Sequence, residues 1–218
     1  MKRRNRNLGI IVLTTIIGFS FITCDLLQDK ENENNGNKIG STGPGGGIIF
    51  YHNPNGFTVE MMDPTENYTA YYLEAATVDV STSTIKWCNC ANANVGCMYY
   101  GLQGTEQGIG KGRKNTALIA SSEYHIGDNS SNNSAIACIE YGGGGKDDWF
   151  LPSRDELQQI LEQCKHIPNR GSISNYWSSN QAGNNNAYYQ LIGTAAISSV
   201  QGNTFKFTSY YVRAIRAY

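Results

Sequence analysis

The sequence predicts an α+β fold, and three observations lead to this class. A capped amphipathic pattern over Arg154–Lys165 predicts a helix, and weaker helical patterns precede it in the middle of the chain. After Asn175 the helical pattern stops, and short runs rich in Tyr, Val, Phe, Thr and Ile alternate with Gly and Asn. Such runs are typical of strands joined by turns. Helices in the middle and strands at the end favour α+β over an alternating α/β arrangement.

The first predicted elements follow a glycine-rich turn. G-P-G-G-G at residues 43–47 predicts a turn that leads into a strand over Ile48–Tyr51, and Tyr71–Ala76 predicts another strand. Asn115–Ser122 predicts a short helix with Asn115 as its N-cap. Ala135–Tyr141 predicts a second short helix.

The third helix carries the strongest signal. Ser153 is placed to cap it, and Glu156 three residues later completes a capping box. Apolar residues then follow the i, i+3, i+4, i+7 rule and mark one buried face: Leu157, Ile160, Leu161 and Cys164. The runs after it predict a strand meander over Tyr176–Ser179, Ala187–Ile192, Ala196–Val200, Phe205–Thr208 and Tyr211–Tyr218.

The N-terminal residues have the pattern of an export signal. Four basic residues among the first six precede an apolar run over residues 8–22. That run of about 15 residues is shorter than the roughly 20 that span a bilayer as a helix. Its end at Cys24 resembles a loose lipobox of bacterial lipoproteins, with Phe21 and Thr23 in place of the usual Leu and Ala or Gly. We expect lipidation of Cys24 after cleavage, the alternatives being an ordinary secreted protein or an uncleaved anchor.

Composition divides the chain and limits its partners. Residues 1–23 are the predicted signal, residues 24–42 a polar, lipidated and flexible tether, and residues 43–218 the folded domain. Without the four basic residues of the signal, 13 basic residues face 18 acidic ones, a net charge of −5. Because the mature chain is mildly acidic and has no basic stripe, we expect no nucleic-acid partner.

The five cysteines after Cys24 leave the disulfide pattern open. An exported protein can form disulfides, and an odd number leaves one thiol unpaired or paired between chains. Either Cys88 or Cys90 could bridge to Cys97, whereas Cys138 and Cys164 fall on apolar helix faces and are predicted to be buried thiols. The cysteines lack C-x-x-C spacing and a nearby His, so zinc is not expected.

No catalytic motif emerges, and we expect neither an enzyme nor a cofactor. The three histidines, His52, His125 and His166, lack the spacing of a metal cluster, and no G-x-S-x-G occurs. Gly112 follows Lys111 where a phosphate loop needs Ser or Thr.

Paired acids admit two interpretations. Asp147–Asp148 and Asp155–Glu156 could ligate calcium, but structural roles at turns and in the first helical turn are favoured. Asp147 or Asp148 is expected either to hold the turn or to pair with Arg213 or Arg216. In a strand these two arginines lie on opposite faces, so one is expected to be buried beside an acid.

The C-terminal part contrasts two predicted core phrases with the segment between them. Tyr176–Ser179 and Tyr211–Tyr218 have the character of core strands, and Trp149 and Trp177 are also expected in the core. The segment between is rich in Asn, Gln, Gly and Tyr, a composition typical of contact surfaces. The predicted ligand-binding residues are Asn175, Asn180, Gln181, Asn184, Asn186, Tyr188, Tyr189, Gln190, Thr194, Asn203, Lys206 and Tyr210.

Six phrases in order resemble a known type of domain. They are G-P-G-G-G-I-I-F-Y at 43–51, L-E-A-A at 73–76, G-K-x-x-x-N-T-A at 110–117, D-W-F-L-P-S-R-D-E-L at 148–157, Y-W-S-S at 176–179 and V-R-A-I-R-A at 212–217. Together they resemble a domain of spirochaete lipoproteins and of the C-terminal part of bacterial collagen-like adhesins. That domain is similar to the C-type-lectin-like fold in its formylglycine-generating-enzyme variety, and the match spans Gly43 to Tyr218.

The resemblance implies binding more than chemistry. Some such lipoproteins are similar to the variable proteins of diversity-generating retroelements, whose C-terminal segment is diversified at codons that start as Asn. The Asn-rich segment lies where that region would lie, although Asn is abundant throughout the chain. The formylglycine-generating enzymes rely on C-terminal cysteines, and no Cys follows Cys164, so their activity is not carried over. The strings by which lectins bind calcium and sugar, E-P-N, Q-P-D and W-N-D, are absent from the sequence.

The predicted function is therefore ligand binding at the cell envelope. We expect a monomer, lipid-anchored through Cys24 to the outer membrane or cell surface, that contacts a protein or glycan through Asn175–Tyr210. The alternatives are an undiversified adhesin, a structural lipoprotein and, less favoured, an enzyme of the formylglycine-generating type.

Overall fold

The computed structural model describes residues 38–88, 104–121, 133–169, 173–193 and 200–218. Short helices and antiparallel strands segregate along the chain, which confirms the α+β class. The helices are α1 (Gly112–Ser121), α2 (Ser134–Ile139) and α3 (Arg154–Glu162). The strands are β1 (Ile48–Val59), β2 (Tyr68–Ala75), β3 (Ile85–Lys86), β4 (Ile173–Gln181), β5 (Asn186–Gly193), β6 (Gln201–Phe205), β7 (Ser209–Tyr210) and β8 (Ile215–Ala217).

The strands form three antiparallel sheets. β4, β5 and β6 pair in sequence order. The predicted meander is confirmed for β4 and β5, whereas β6 consists of residues that were not predicted as a strand, apart from Phe205. β8 does not extend it, because it crosses to β2 and completes a sheet of order β1-β2-β8. β3 and β7 make a two-stranded sheet. The assignment of Tyr211–Tyr218 to the meander was therefore wrong.

Two further strand predictions need correction. Phe205 ends β6, and the three residues after it form a turn in which Thr208 N donates to Phe205 O at 2.9 Å. The prediction of a strand over Phe205–Thr208 was wrong because the chain reverses there. Of Ala196–Val200, only Val200 lies among the described residues, and it is outside any strand.

The three helices agree with the sequence in type and overlap the predicted ranges, although most of their boundaries differ by one to three residues. α3 begins at Arg154, and Ser153 and Glu156 form the predicted capping box. α1 begins at Gly112, three residues before Asn115, so Asn115 is not an N-cap. Its buried amide instead donates to Glu106 O at 2.7 Å and to Ser179 Oγ at 3.0 Å, which fixes α1 against β4.

The core consists of two clusters. One joins the β1-β2-β8 sheet to α3 and contains Phe50, Leu73, Leu157 and Ile215. The other surrounds three tryptophans, Trp87, Trp149 and Trp177, together with Ile119, Leu151 and Val212. The predicted core positions Trp149, Trp177, Val212 and Ile215 are all buried, so those predictions are confirmed.

Buried charge pairs account for two of the sequence phrases. Glu74 is fully buried, and its carboxylate accepts from Gly45 N at 2.9 Å, Gly47 N at 3.0 Å and Arg216 Nη1 at 2.9 Å. A Cβ on Gly45 would stand 2.6 Å from Glu74 Oε1, so the glycine-rich turn is the shape that this carboxylate requires. Arg216 also pairs with Asp148, as predicted.

Arg213 is the predicted buried arginine. Its guanidinium is 1% exposed and donates to Asp79 Oδ1 at 2.8 Å and to Ala76 O at 2.8 Å. Burial raises the pKa of Asp79, and the neighbouring guanidinium opposes that rise. Because a buried arginine is tolerated only when its donors are satisfied, the V-R-A-I-R-A phrase is structural.

The cysteines divide differently from the prediction. Cys138 is a buried free thiol, as predicted, and burial raises its pKa. Cys164 is buried but disulfide-bonded, so its assignment as a thiol was wrong, and Cys88 is disulfide-bonded as well. Cys164 lies in a 3-10 turn after α3 ends, where a thiol is no longer confined to the helix face. Cys90 and Cys97 fall outside the described residues.

Most of the N-terminal predictions lie beyond the described ranges. The signal, Cys24 and the tether up to residue 37 are outside them. Among the residues that are described, no helix has the length and apolar character needed to cross a membrane.

Candidate ligand-binding surface

The predicted ligand-binding residues on the β4-β5-β6 sheet divide between its two faces. Tyr188 pairs with Asn203 of β6, whereas Tyr189 pairs with Trp177 of β4 and Gly202 of β6. Because successive side chains of a strand point to opposite faces, Tyr188 and Tyr189 cannot contact one ligand side by side.

The face of Tyr189 packs against the tryptophan cluster. The Tyr210 ring lies 4.9 Å from the Tyr189 ring and 4.7 Å from the Trp177 ring. Gly202 provides the space for Tyr189, since a Cβ there would stand 2.6 Å from Tyr189 Oη. Burial raises the pKa of Tyr210, and Tyr211 N donates to Asn175 O at 3.0 Å. Asn175, Tyr189 and Tyr210 therefore hold β7 on the meander.

Three predicted contact residues are buried, so their placement on an exposed surface was wrong. Asn180 is 1% exposed, and its Oδ1 accepts from Arg154 N at 2.8 Å, which adds a cap to α3. Gln190 is also 1% exposed, on the face that α3 covers. Lys206 is 3% exposed. In the sequence, the polar amide and amine groups of these side chains were interpreted as belonging to an exposed surface.

Lys206 fastens the β4–β5 loop. Its Nζ donates to Gln181 Oε1 at 2.8 Å and to Asn184 O at 2.9 Å, and lies 4.9 Å from the centre of the Trp87 ring. Burial lowers the pKa of the Lys206 ammonium to about 8. Gln181 is consequently engaged within the fold, while the side chain of Asn184 remains exposed at the loop.

A continuous strip runs along the opposite face, and we call it the outer strip. The Arg154 guanidinium at the start of α3 lies 4.0 Å from the centre of the Tyr188 ring, and its Nη2 donates to Gln201 Oε1 at 2.6 Å. Beyond Tyr188, Asn186 Nδ2 donates to Asn203 Oδ1 at 2.9 Å. The members of the outer strip are Arg154, Asn186, Tyr188, Asn203, Phe205 and Phe207.

The outer strip ends in an exposed aromatic pair. Phe205 is opposite Asn186 in the β5–β6 register, and its ring stacks on the Phe207 ring at 5.0 Å with an interplanar angle of 8°. Phe205 is 48% exposed and Phe207 is 37% exposed. Two adjacent exposed aromatic rings are a contact feature, because large apolar groups beside one another in water favour burial against a partner.

Sequence reasoning found half of the outer strip. Asn186, Tyr188 and Asn203 were predicted, whereas Arg154 and the phenylalanine pair were missed. The i, i+2 spacing of Asn203 and Phe205 was a usable signal, since it places both residues on one face of β6, whereas Phe207 lies in the turn that follows. Arg154 could not be assigned from local sequence, because its partner Tyr188 is 34 positions away. Thr194 lies outside the described residues.

The side chains of the outer strip are of kinds suited to non-covalent contact. The strip offers aromatic area, amide donors and acceptors, and one guanidinium, a combination typical of contact surfaces. Within the described ranges no group of His, Cys, Asp and Glu could hold a metal ion. His52 stacks on the Tyr72 ring at 4.4 Å, away from the strip, and His125 is not among the described residues.

Comparison with known proteins assigns no family. No protein-family model matches the sequence, and no curated protein is similar to it. Function is therefore argued from the site itself.

Proposed function

We propose that this chain is an exported, lipid-anchored envelope protein that binds a protein or glycan through the outer strip. The anchor is the lipidated thiol of Cys24, and the domain resembles the C-type-lectin-like fold of the formylglycine-generating-enzyme variety. The protein acts as a monomeric binder without catalysis, cofactor or nucleic acid.

One observation carries the proposal. Phe205 and Phe207 stack on each other while each remains more than a third exposed. Asn186 and Asn203 border the pair, and their side chains hydrogen-bond to each other at 2.9 Å. Aromatic area next to adaptable amides suits recognition of a macromolecular surface.

Burial also limits which asparagines could be diversified by a retroelement. Diversified positions must tolerate any side chain, which suits exposed Asn184 and Asn203 and excludes buried Asn180. The test is the neighbouring DNA, where we expect a reverse-transcriptase gene and a near-copy of the 3′ end that differs only at adenines. The differences should affect Asn184 and Asn203 and spare Asn180. A neighbourhood without such a copy would refute diversification, and an undiversified adhesin would then be the favoured alternative.

Binding itself is tested with matched aromatic variants. The full mature chain in detergent is screened against a glycan array and a displayed protein-fragment library, and each hit is measured again with Phe205→Ser and Tyr188→Ala. We expect at least one hit whose affinity falls by about tenfold or more in both variants. Tyr71→Ala is the control, because Tyr71 is 46% exposed on β2, outside the strip.

Two outcomes contradict the proposal. A ligand held equally by wild type and both strip variants places the binding site elsewhere. A chain that gives no reproducible ligand in either screen favours the structural lipoprotein.

A further inference from the structure

A cleft separate from the outer strip lies beside β3 and the end of α2. Its volume is about 770 Å³, within the range of about 300–1,000 Å³ that small-molecule sites occupy. It is lined by the segment from Val80 to Ile85, by Ala137 and the residues that follow α2, and by Ser209 of β7. None of the outer-strip residues line it.

Five residues with hydroxyl groups line this cleft: Ser81, Ser83, Thr84, Tyr141 and Ser209. Each hydroxyl donates one hydrogen bond and accepts others, which matches the dual character of a polyol. Ser81 Oγ accepts from Ser83 N at 3.2 Å, which orders the chain between these two residues. Within the described part of the chain, the hydroxyls of Thr84 and Ser209 have no hydrogen-bond partner and remain available to a ligand.

The charge of the cleft has one sign. Glu140 is the only ionisable acid or base among the described lining residues apart from the Tyr141 phenol. It caps the carboxyl end of α2, where the helix carbonyls also favour a cation. The Glu140 carboxylate, which has no ion pair within the described residues, would repel an anionic ligand and attract an amine.

The Tyr141 ring is fixed in place by its contact with a buried tryptophan. The Tyr141 ring meets the buried Trp149 ring edge-on, with centroids 5.2 Å apart and an interplanar angle of 79°. A held ring beside a carboxylate can contact an ammonium group or the apolar face of a sugar ring.

We propose that this cleft binds a small hydroxylated ligand that carries a positively charged amine, of the amino-sugar class. The hydroxyls of Ser83, Thr84 and Ser209 bind the ligand hydroxyls, the Glu140 carboxylate binds the amine, and the Tyr141 ring contacts the ring of the ligand. This site is independent of the outer strip and of the function proposed for it.

The test uses three probes that differ in charge. Glucosamine, glucose and glucuronate are titrated into the full mature chain in detergent micelles and followed by saturation-transfer NMR. We expect glucosamine to bind about fivefold more tightly than glucose, the size of a partly exposed ion pair. Glucuronate should bind more weakly than either.

Two variants separate the contributions. Glu140→Gln should bring glucosamine down to the affinity of glucose and leave glucose unchanged. Ser83→Ala combined with Thr84→Val should weaken both sugars. Ser121→Ala on α1 is the control, and unchanged thermal midpoints show that each variant is folded.

The proposal is overturned in three ways. These are equal binding of all three probes, glucosamine affinity that survives Glu140→Gln, and a lack of saturable binding by any probe. Loss of binding in the outer-strip variants leaves the proposal standing, because those residues are not in the cleft.

Discussion

Two buried glutamates each accept hydrogen bonds from the backbone of a glycine-containing turn. Glu74 accepts from the backbone of Gly45 and Gly47, and Glu156 accepts from Gly110 N at 2.8 Å and Ser153 N at 2.7 Å. A buried carboxylate is costly unless donors surround it. The two turns supply those donors, so each acid and its glycines form one structural unit.

Glu156 makes stability depend on pH. Burial raises its pKa from 4.5 to about 7, so the folded chain holds this proton more tightly than the unfolded chain. Its contribution to the free energy of unfolding therefore falls as pH rises from about 4.5 to about 7, by about 3 kcal/mol. Urea unfolding should show this fall in wild type and a flatter profile in Glu156→Gln. Equal slopes in the two proteins would refute the assignment.

Replacing Glu74 is expected to lower the free energy of unfolding. Glu74→Gln removes a charge from the Arg216 pair and one acceptor from the glycine turn. Hydrogen bonds to charged groups contribute about 1.5–3 kcal/mol each, so we expect a loss of about 3 kcal/mol in the free energy of unfolding. Glu66→Gln, an exposed acid in the first half of the domain, should change it little. A loss for Glu74→Gln no larger than for this control would show that the hydrogen bonds of the Glu74 carboxylate do not stabilise the fold.

At the scale of elements, strand alternation places Tyr188 and Tyr189 on opposite faces of the sheet. Tyr189 contacts Tyr210 and sits over Gly202, whereas Tyr188 faces Arg154 on the outer strip. Removing both together would confuse two roles. The variants must be made singly.

Single replacements should separate these roles. Tyr189→Ala should lower the free energy of unfolding by about 2 kcal/mol, because half-buried aromatic area is lost from the tryptophan cluster. Tyr188→Ala should cost well under half of that and should reduce ligand affinity instead. Chemical denaturation gives both values, and equal losses would mean that the two rings are equally part of the core.

The elements differ in how far sequence could predict them. α3 was predicted from Ser153 to its apolar face because capping and helical periodicity are local. The partner of β8 was not, because pairing with β2 joins residues more than 140 positions apart, as in Leu73 and Ala217. The buried Asn180 and Lys206 were misplaced for a related reason, since their partners Arg154 and Trp87 are distant along the chain.

At the scale of the whole molecule, the proposed lipid anchor can be tested by its effect on where the protein is found. Cys24→Ser should move the protein from the membrane fraction to the soluble fraction, because several acyl chains contribute about 0.8 kcal/mol per buried methylene. Detergent phase partitioning and metabolic labelling with a fatty acid measure the change. Ser20→Ala, altered in the same segment with Cys24 intact, should stay with the membrane. A Cys24→Ser chain that remains there would indicate an uncleaved anchor.

The pairing of β8 with β2 has a consequence for the order in which the protein is made. The turn at Gly45 and Gly47 is completed by Glu74 and Arg216, and Tyr72 N donates to Tyr218 O at 3.0 Å. The first sheet therefore cannot close until residues 215–218 have been synthesised. A chain still emerging from the ribosome lacks this closing strand, so its first sheet is still open. For the export proposed above, the sheet would close only after the C-terminal residues have crossed the membrane, where disulfides can form.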